Sequence, residues 1–143
     1  MATSEEGDRL TRQEVITTCA LLLMAGHETT ANLIANGVLA LLGQPEELAA
    51  LRAGDVPVEL AVEELLRHDG PVQMVQRVVL EDVDIRGTTV PAGNQMVLLL
   101  GAANRDPDVF HEPERLDLSR DPNPHLAFSS GIHACLGASL ARM

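Results

Sequence analysis

The chain reads as a mainly α protein carrying a small β-sheet, an α+β arrangement. Three observations predict it. Helix-forming residues run without interruption from Thr11 to about Leu42, β-branched residues gather between Val72 and Leu100, and a proline-rich stretch then leads into a glycine-bounded loop. Its 143 residues allow one domain with a modest core. A net charge of −11 with no basic cluster argues against a nucleic-acid partner. Zero Trp, zero Tyr and two Phe are odd for a free-standing domain, since aromatics usually dominate core burial, and suit a chain cut from a larger protein. Cys19 and Cys135 are the only cysteines; a disulfide between them is arithmetically open, but nothing else suggests secretion. The N-terminus, Met1 to Arg9, is acidic and makes no signal peptide. The apolar run Cys19 to Met24 is far short of the ~20 residues that cross a bilayer. A soluble, cytoplasmic chain with no membrane partner is expected.

Thr11-Arg12-Gln13-Glu14 forms a capping box, in which Thr11 and Glu14 satisfy the first free N–H groups of a helix. Gly43-Gln44-Pro45 ends that helix. About 30 residues at 1.5 Å each give a rod of roughly 45–50 Å, long enough to cross the middle of something bigger. In its centre lies Ala25-Gly26-His27-Glu28-Thr29-Thr30. Ala25 and Thr29 stand one turn apart on one face. Gly26 costs about 1 kcal/mol of helix stability against Ala, which predicts a close approach or a kink. Thr29 can bond back to the carbonyl of Ala25. Small residues beside an acid and an alcohol suit a diatomic ligand that must be protonated; the alternative is a polar patch on a half-exposed helix.

A short acidic helix follows from Pro45 to Arg52, and Asp55-Val56-Pro57 opens another with Pro57 in its first turn. Glu64 and Arg67 lie three apart on one face of it, a pairing that is often merely solvated. Val75 to Leu80 reads as a strand, Val83 to Val90 as a hairpin turning near Gly87, Pro91-Ala92-Gly93 as a turn and Gln95 to Leu100 as a further strand. Arg77 places a charge within the first strand, where an ordinary exposed arginine is the simpler reading. Ala103 to Pro124 is an irregular meander, with His111 exposed. His125 is structural by default, with ordering of the loop that follows as a second role.

That loop is Phe128-Ser129-Ser130-Gly131-Ile132-His133-Ala134-Cys135-Leu136-Gly137. The residues after Cys135 read as the start of a helix, which puts the sulfur in the first turn, where free N–H groups and the dipole favour a thiolate. Gly131 and Gly137 let the backbone approach a flat ligand without a Cβ in the way. His133 is placed to donate to an anionic group at the ligand's edge. A buried structural cysteine is the alternative.

The loop resembles the haem-binding signature of the cytochromes P-450, the haem-thiolate monooxygenases. The resemblance implies that Cys135 ligates the iron of haem b (iron protoporphyrin IX) as a thiolate, a ligand that favours O–O cleavage. Phe128, Gly131, His133 and Gly137 would line the cofactor; Ser129 stands where many members carry a second glycine. The centre of the long helix resembles the family's oxygen-binding segment. There Thr29 would order water and hydrogen-bond the oxygen molecule, Glu28 would relay protons, and Ala25 and Gly26 would face the cofactor. Glu64 and Arg67 match the family's Glu-x-x-Arg, buried and completed by a second arginine that Arg115 matches; Arg77 would join His133 on the haem propionates.

The likeness runs from about Leu10 to Arg142 and covers the C-terminal part of the family's fold: long central helix, Glu-x-x-Arg helix, β-hairpins, meander and cysteine loop. It implies that residues 1–143 are part of a single haem domain, incomplete at both ends. The complete enzyme would insert one oxygen atom from O2 into a small organic substrate, with electrons from a ferredoxin or flavodoxin type donor. The chain alone is expected to be inactive. Two other classes stand beside this reading: a zinc module built on Cys135, His133 and other histidines, and a non-catalytic remnant or interaction protein without bound haem.

Overall fold

The computed structural model describes residues 9–143; the acidic start up to Asp8 lies outside them. Helix α1 spans Arg12–Leu42. Its capping box is formed as expected: the Glu14 N–H donates to Thr11 Oγ1 at 3.2 Å, and the Thr11 N–H donates to Glu14 Oε2 at 2.7 Å. At its far end the Gly43 N–H reaches the carbonyls of Leu39 and Ala40, both at 3.1 Å. Helix α2, Pro45–Ala53, has Pro45 and two glutamates in its first turn and Arg52 in its last, matching the helix dipole at both ends. Gly54 ends it in the left-handed conformation, φ 79°. Helix α3 spans Val58–Asp69, so Pro57 caps it from outside its first turn rather than from within.

The core lies where α1, α2, α3 and the meander meet. Ala61, Leu116 and Leu118 are buried together, and Ala40, Leu41, Leu51, Val56 and Leu65 pack against them. Gly37 sets the spacing of α1 against α3, since a Cβ there would stand 3.2 Å from Leu65 Cδ1. Asn36 Nδ2 donates to the carbonyl of Asp69 at 3.1 Å, satisfying one of the free carbonyls at the end of α3. Among the described residues the middle of α1 has no such cover: Leu21, Leu22, Met24 and Leu23, the last 71% exposed, face outward.

The strands form two separate two-stranded antiparallel sheets instead of one. β1 (Val75–Val78) pairs with β4 (Gln95–Leu98), with Val75 opposite Leu98. β2 (Val83–Ile85) and β3 (Thr88–Val90) make the expected hairpin. Its turn residues Arg86 (φ 51°) and Gly87 (φ 82°) both have positive φ, the conformation whose twist matches a two-residue hairpin. The last strand is shorter than expected because Leu100–Ala103 turns into a helical segment, α4. Among the described residues no helix is long and apolar enough to cross a membrane.

Candidate cysteine-loop site

The site stands on a buried ion pair. Glu64 and Arg67, one turn apart on α3, are both 0% exposed in their side chains. Arg67 Nε donates to Glu64 Oε2 at 2.7 Å and Nη2 donates to Oε1 at 2.8 Å. The remaining guanidinium hydrogens go to the carbonyls of Asn104 (2.9 Å), Pro113 (2.8 Å) and Arg115 (3.0 Å). Glu64 is met in turn by the Asp117 N–H at 3.0 Å, Asn123 Nδ2 at 3.1 Å and Arg120 Nε at 3.1 Å. Burying two charges is tolerable only when their other donors and acceptors are satisfied in this way.

The second arginine is therefore Arg120, not Arg115. The Arg115 guanidinium is 61% exposed and lies 3.4 Å from Glu112, whereas Arg120 is 10% exposed. The reason is backbone geometry. Arg115 gives its carbonyl to Arg67, which turns its side chain outward, and the meander returns toward Glu64 only at Arg120. Two arginines so close together in an irregular segment offer no periodicity from which to choose.

From this pair the structure passes to the loop. Asn104 is buried; its carbonyl accepts from Arg67, and its Oδ1 accepts the Leu126 N–H at 2.7 Å. His125, with its side chain 3% exposed, lies 2.9 Å through Nε2 from Glu63 Oε2. Its Nδ1 accepts the Ala127 N–H at 3.2 Å, so the ring proton sits on Nε2 and is donated to Glu63. Arg142, in the last residues of the chain, also donates to Glu63, through Nε and through Nη2 at 3.0 Å. The Arg142 bond, helped by His125 and opposed by partial burial, holds the Glu63 carboxyl below its ordinary range. The Arg142 guanidinium lies over the Phe128 ring, 4.4 Å from its centroid. Glu63, Asn104, Arg120 and Arg142 went unnoticed in the sequence, because each acts through a partner remote in the chain.

The loop itself closes through two backbone bonds, Ser129 N–H to Leu126 O at 2.8 Å and Cys135 N–H to Phe128 O at 2.9 Å. Ser129 (φ 58°) and Gly131 (φ 65°) take left-handed conformations, and Gly131–His133 forms a single 3-10 turn. Cys135 is a free, exposed thiol. It does not sit in the first turn of a helix, as expected. Its N–H is already given to Phe128, and the final helix, α5, begins only at Ala138 after Gly137 and has four residues. The thiol projects from the loop, ahead of that helix.

The loop that carries the thiol is open to solvent. Ile132 and Leu136 are almost wholly exposed, and a Cβ at Gly131 or Gly137 would meet nothing within 4 Å. Among the described residues no group of three or more His, Cys, Asp or Glu side chains converges, which gives a several-ligand zinc site no support. One soft donor on a loop with exposed apolar side chains fits a flat macrocycle that would be held by a single thiolate.

The remaining candidates are placed but not assembled. Thr29 Oγ1 donates to the Ala25 carbonyl at 2.7 Å, as expected. Gly26 sits in an unbroken helix, and a Cβ added there would meet no described atom within 4 Å, so no close approach is made at Gly26 among the described residues. Ala25, Gly26 and Glu28 are exposed. Arg77 Nη1 folds back onto the Gln76 carbonyl at 2.8 Å, and His133 is exposed. Among the described residues no hydrogen bond or ion pair joins the centre of α1, Arg77 and the cysteine loop.

Over 138 residues the chain is 55% identical to the biotin biosynthesis cytochrome P450 of Bacillus subtilis (strain 168), across 96% of this chain and 35% of that protein. It is 51% identical over 140 residues to the cytochrome P450 monooxygenase PikC of Streptomyces venezuelae, across 97% of this chain and 34% of that protein. Among solved structures, P450BioI in complex with an acyl carrier protein ligated to hexadec-9Z-enoic acid matches with a TM-score of 0.91 and 56% identity, over 96% of this chain and 36% of that one. The chain thus spans about a third of the length of these relatives. The cytochrome P450 family pattern matches residues 58–143, from the start of α3 through the buried pair to the cysteine loop, and the chain belongs to that family.

Proposed function

We propose that residues 1–143 are the C-terminal part of a single haem domain, from the oxygen-binding helix to the cysteine loop, of a cytoplasmic haem-thiolate monooxygenase. The parent protein would insert one oxygen atom from O2 into a small organic substrate, with electrons from a ferredoxin or flavodoxin type donor. The observation that carries this reading is the exposed Cys135 thiol, presented by a loop braced through Asn104 against the buried Glu64–Arg67 pair.

When bound at Cys135, haem b would supply the oxygen activation; the chain's own contribution is ligation, orientation and proton handling. Gly131 and Gly137 keep the loop backbone free of side chains where the macrocycle would lie, and Phe128 backs the loop. His133 and Arg77 would donate hydrogen bonds to the propionates, once Arg77 leaves the Gln76 carbonyl. On α1, Ala25 and Gly26 leave room beside the cofactor. Thr29 would order water by its hydroxyl, and exposed Glu28 would relay protons from solvent. Glu64, Arg67 and Arg120 hold the fold beneath the loop.

A second reading, a remnant or interaction protein without haem, is favoured by one observation: the middle of α1 exposes a continuous apolar surface around Leu21 to Met24. The two are separated by reconstituting the purified chain with haem and recording the reduced carbon-monoxide difference spectrum. A red-shifted Soret band that disappears in Cys135→Ala supports the thiolate site. No haem uptake would mean that the signatures are intact but the domain is incomplete, with the function belonging to the longer parent protein.

A further inference from the structure

We propose that His125 is the positioning residue of the cysteine loop, a two-sided link that fixes the loop's root to α3 and thereby the placement of the Cys135 thiol. The inference rests on the reading of Cys135 as the ligating thiol. His125 is the residue at which the meander becomes the loop, and its ring bonds in both directions. Nε2 donates to Glu63 on α3, 62 positions earlier in the chain, and Nδ1 accepts from Ala127, two residues later. Its side chain is almost wholly buried, so neither bond is exchanged for water without cost.

What lies on either side gives the link its reach. Leu126 is pinned by Asn104, and the Leu126 carbonyl accepts from Ser129. Ala127 packs its Cβ 3.6 Å from the Cβ position of Gly70, at the end of α3. Phe128, next in line, gives its carbonyl to the Cys135 N–H and its ring to the Arg142 guanidinium. Arg142 returns to Glu63. The loop is thus held at both ends by one carboxylate, with His125 at its entry and Arg142 beyond its exit. A rigid element supporting a ligand's backbone within hydrogen-bond distance is what holds a ligating atom in place.

The three ring substitutions divide the link. In His125→Gln the amide nitrogen stands near the Nε2 position and keeps the Glu63 bond. In His125→Asn the amide oxygen stands near Nδ1 and keeps the Ala127 bond; His125→Leu loses both. Amide hydrogen exchange on the full chain in each variant tests the proposal, together with the reaction rate of Cys135 with a disulfide reagent in a Cys19→Ser background. We expect exchange at Ser129 and Cys135 to rise about tenfold in His125→Leu, with α2 and α3 unchanged. Gln and Asn should be intermediate, and the Cys135 reaction rate should follow the same order.

Equal loop exchange and thiol reactivity in wild type and all three variants overturns the proposal. So does a uniform rise across the whole fold, which would make His125 a packing residue only. Should His125→Leu not fold, the comparison of Gln and Asn with wild type decides in the same way. If wild type takes up no haem, the ligation reading fails for the isolated chain, while the exchange and thiol data still decide the role of His125.

Discussion

At the residue scale, the ion-pair network and one strained serine carry the sharpest expectations. Arg120→Ala removes a buried partner of Glu64 and should destabilise the fold by about 3 kcal/mol, whereas Arg115→Ala, exposed and loosely paired, should cost less than about 1 kcal/mol. Urea titration followed by circular dichroism measures both; equal losses would return the second-arginine role to Arg115. Ser129 holds φ 58°, a conformation that costs an L-residue about 1 kcal/mol and glycine almost nothing. Ser129→Gly should therefore raise stability by up to ~1 kcal/mol. The resemblance implies that many family members carry glycine at this position; the positive φ supplies a reason.

At the element scale, α1 and α3 meet through Gly37. A Cβ would already stand 3.2 Å from Leu65 Cδ1, so a branched side chain is accommodated only if Leu65 moves. Gly37→Val should cost about 1–3 kcal/mol by overpacking, despite its better helix propensity. A thermal melt with no loss of stability would show that α1 shifts freely on α3. The end of α3 is stricter still. A Cβ at Gly70 would stand 2.5 Å from the Leu66 carbonyl, which is backbone and cannot swing aside. Glycine is required there by contact, not by an unusual φ.

At the scale of the whole molecule, acid should loosen the fold in two stages. Burial, aided by the nearby Arg105 charge, holds His68 below its ordinary value. As pH falls below about 6.5 the unfolded chain takes up a proton that the folded chain refuses, so stability declines over that window. Glu63, held down by Arg142, and Asp117, held down by Ser119, contribute stability that is complete above the ordinary carboxylate range. That contribution is lost as pH falls through their lowered folded values. Thermal midpoints should be level above pH ~7, fall gently toward pH ~5 and steeply below ~4. His68→Gln should flatten the first stage only; a gentle fall that persists in this variant would assign it to another group. The exposed apolar surface of α1 predicts a further property, concentration-dependent self-association of the isolated chain, readable by sedimentation velocity.

Much was determined by the sequence alone. Capping residues, glycine stops and the two-residue turn are local chemistry, which is why α1, α2 and the β2–β3 hairpin lie where their residues place them. The motif spacing around Cys135 and the Glu64–Arg67 pair is local too. Tertiary structure decided what depends on remote partners. It chose Arg120 over Arg115, joined Glu63 to His125 and Arg142, separated the strands into two sheets, and set Cys135 ahead of α5 instead of within it. The physical reason is the same in each case. A helix turn or a hairpin is closed by neighbours a few residues away, whereas a buried charge or a loop root is satisfied by whichever donor the folded chain brings within about 3 Å, as Glu64 is by Asp117.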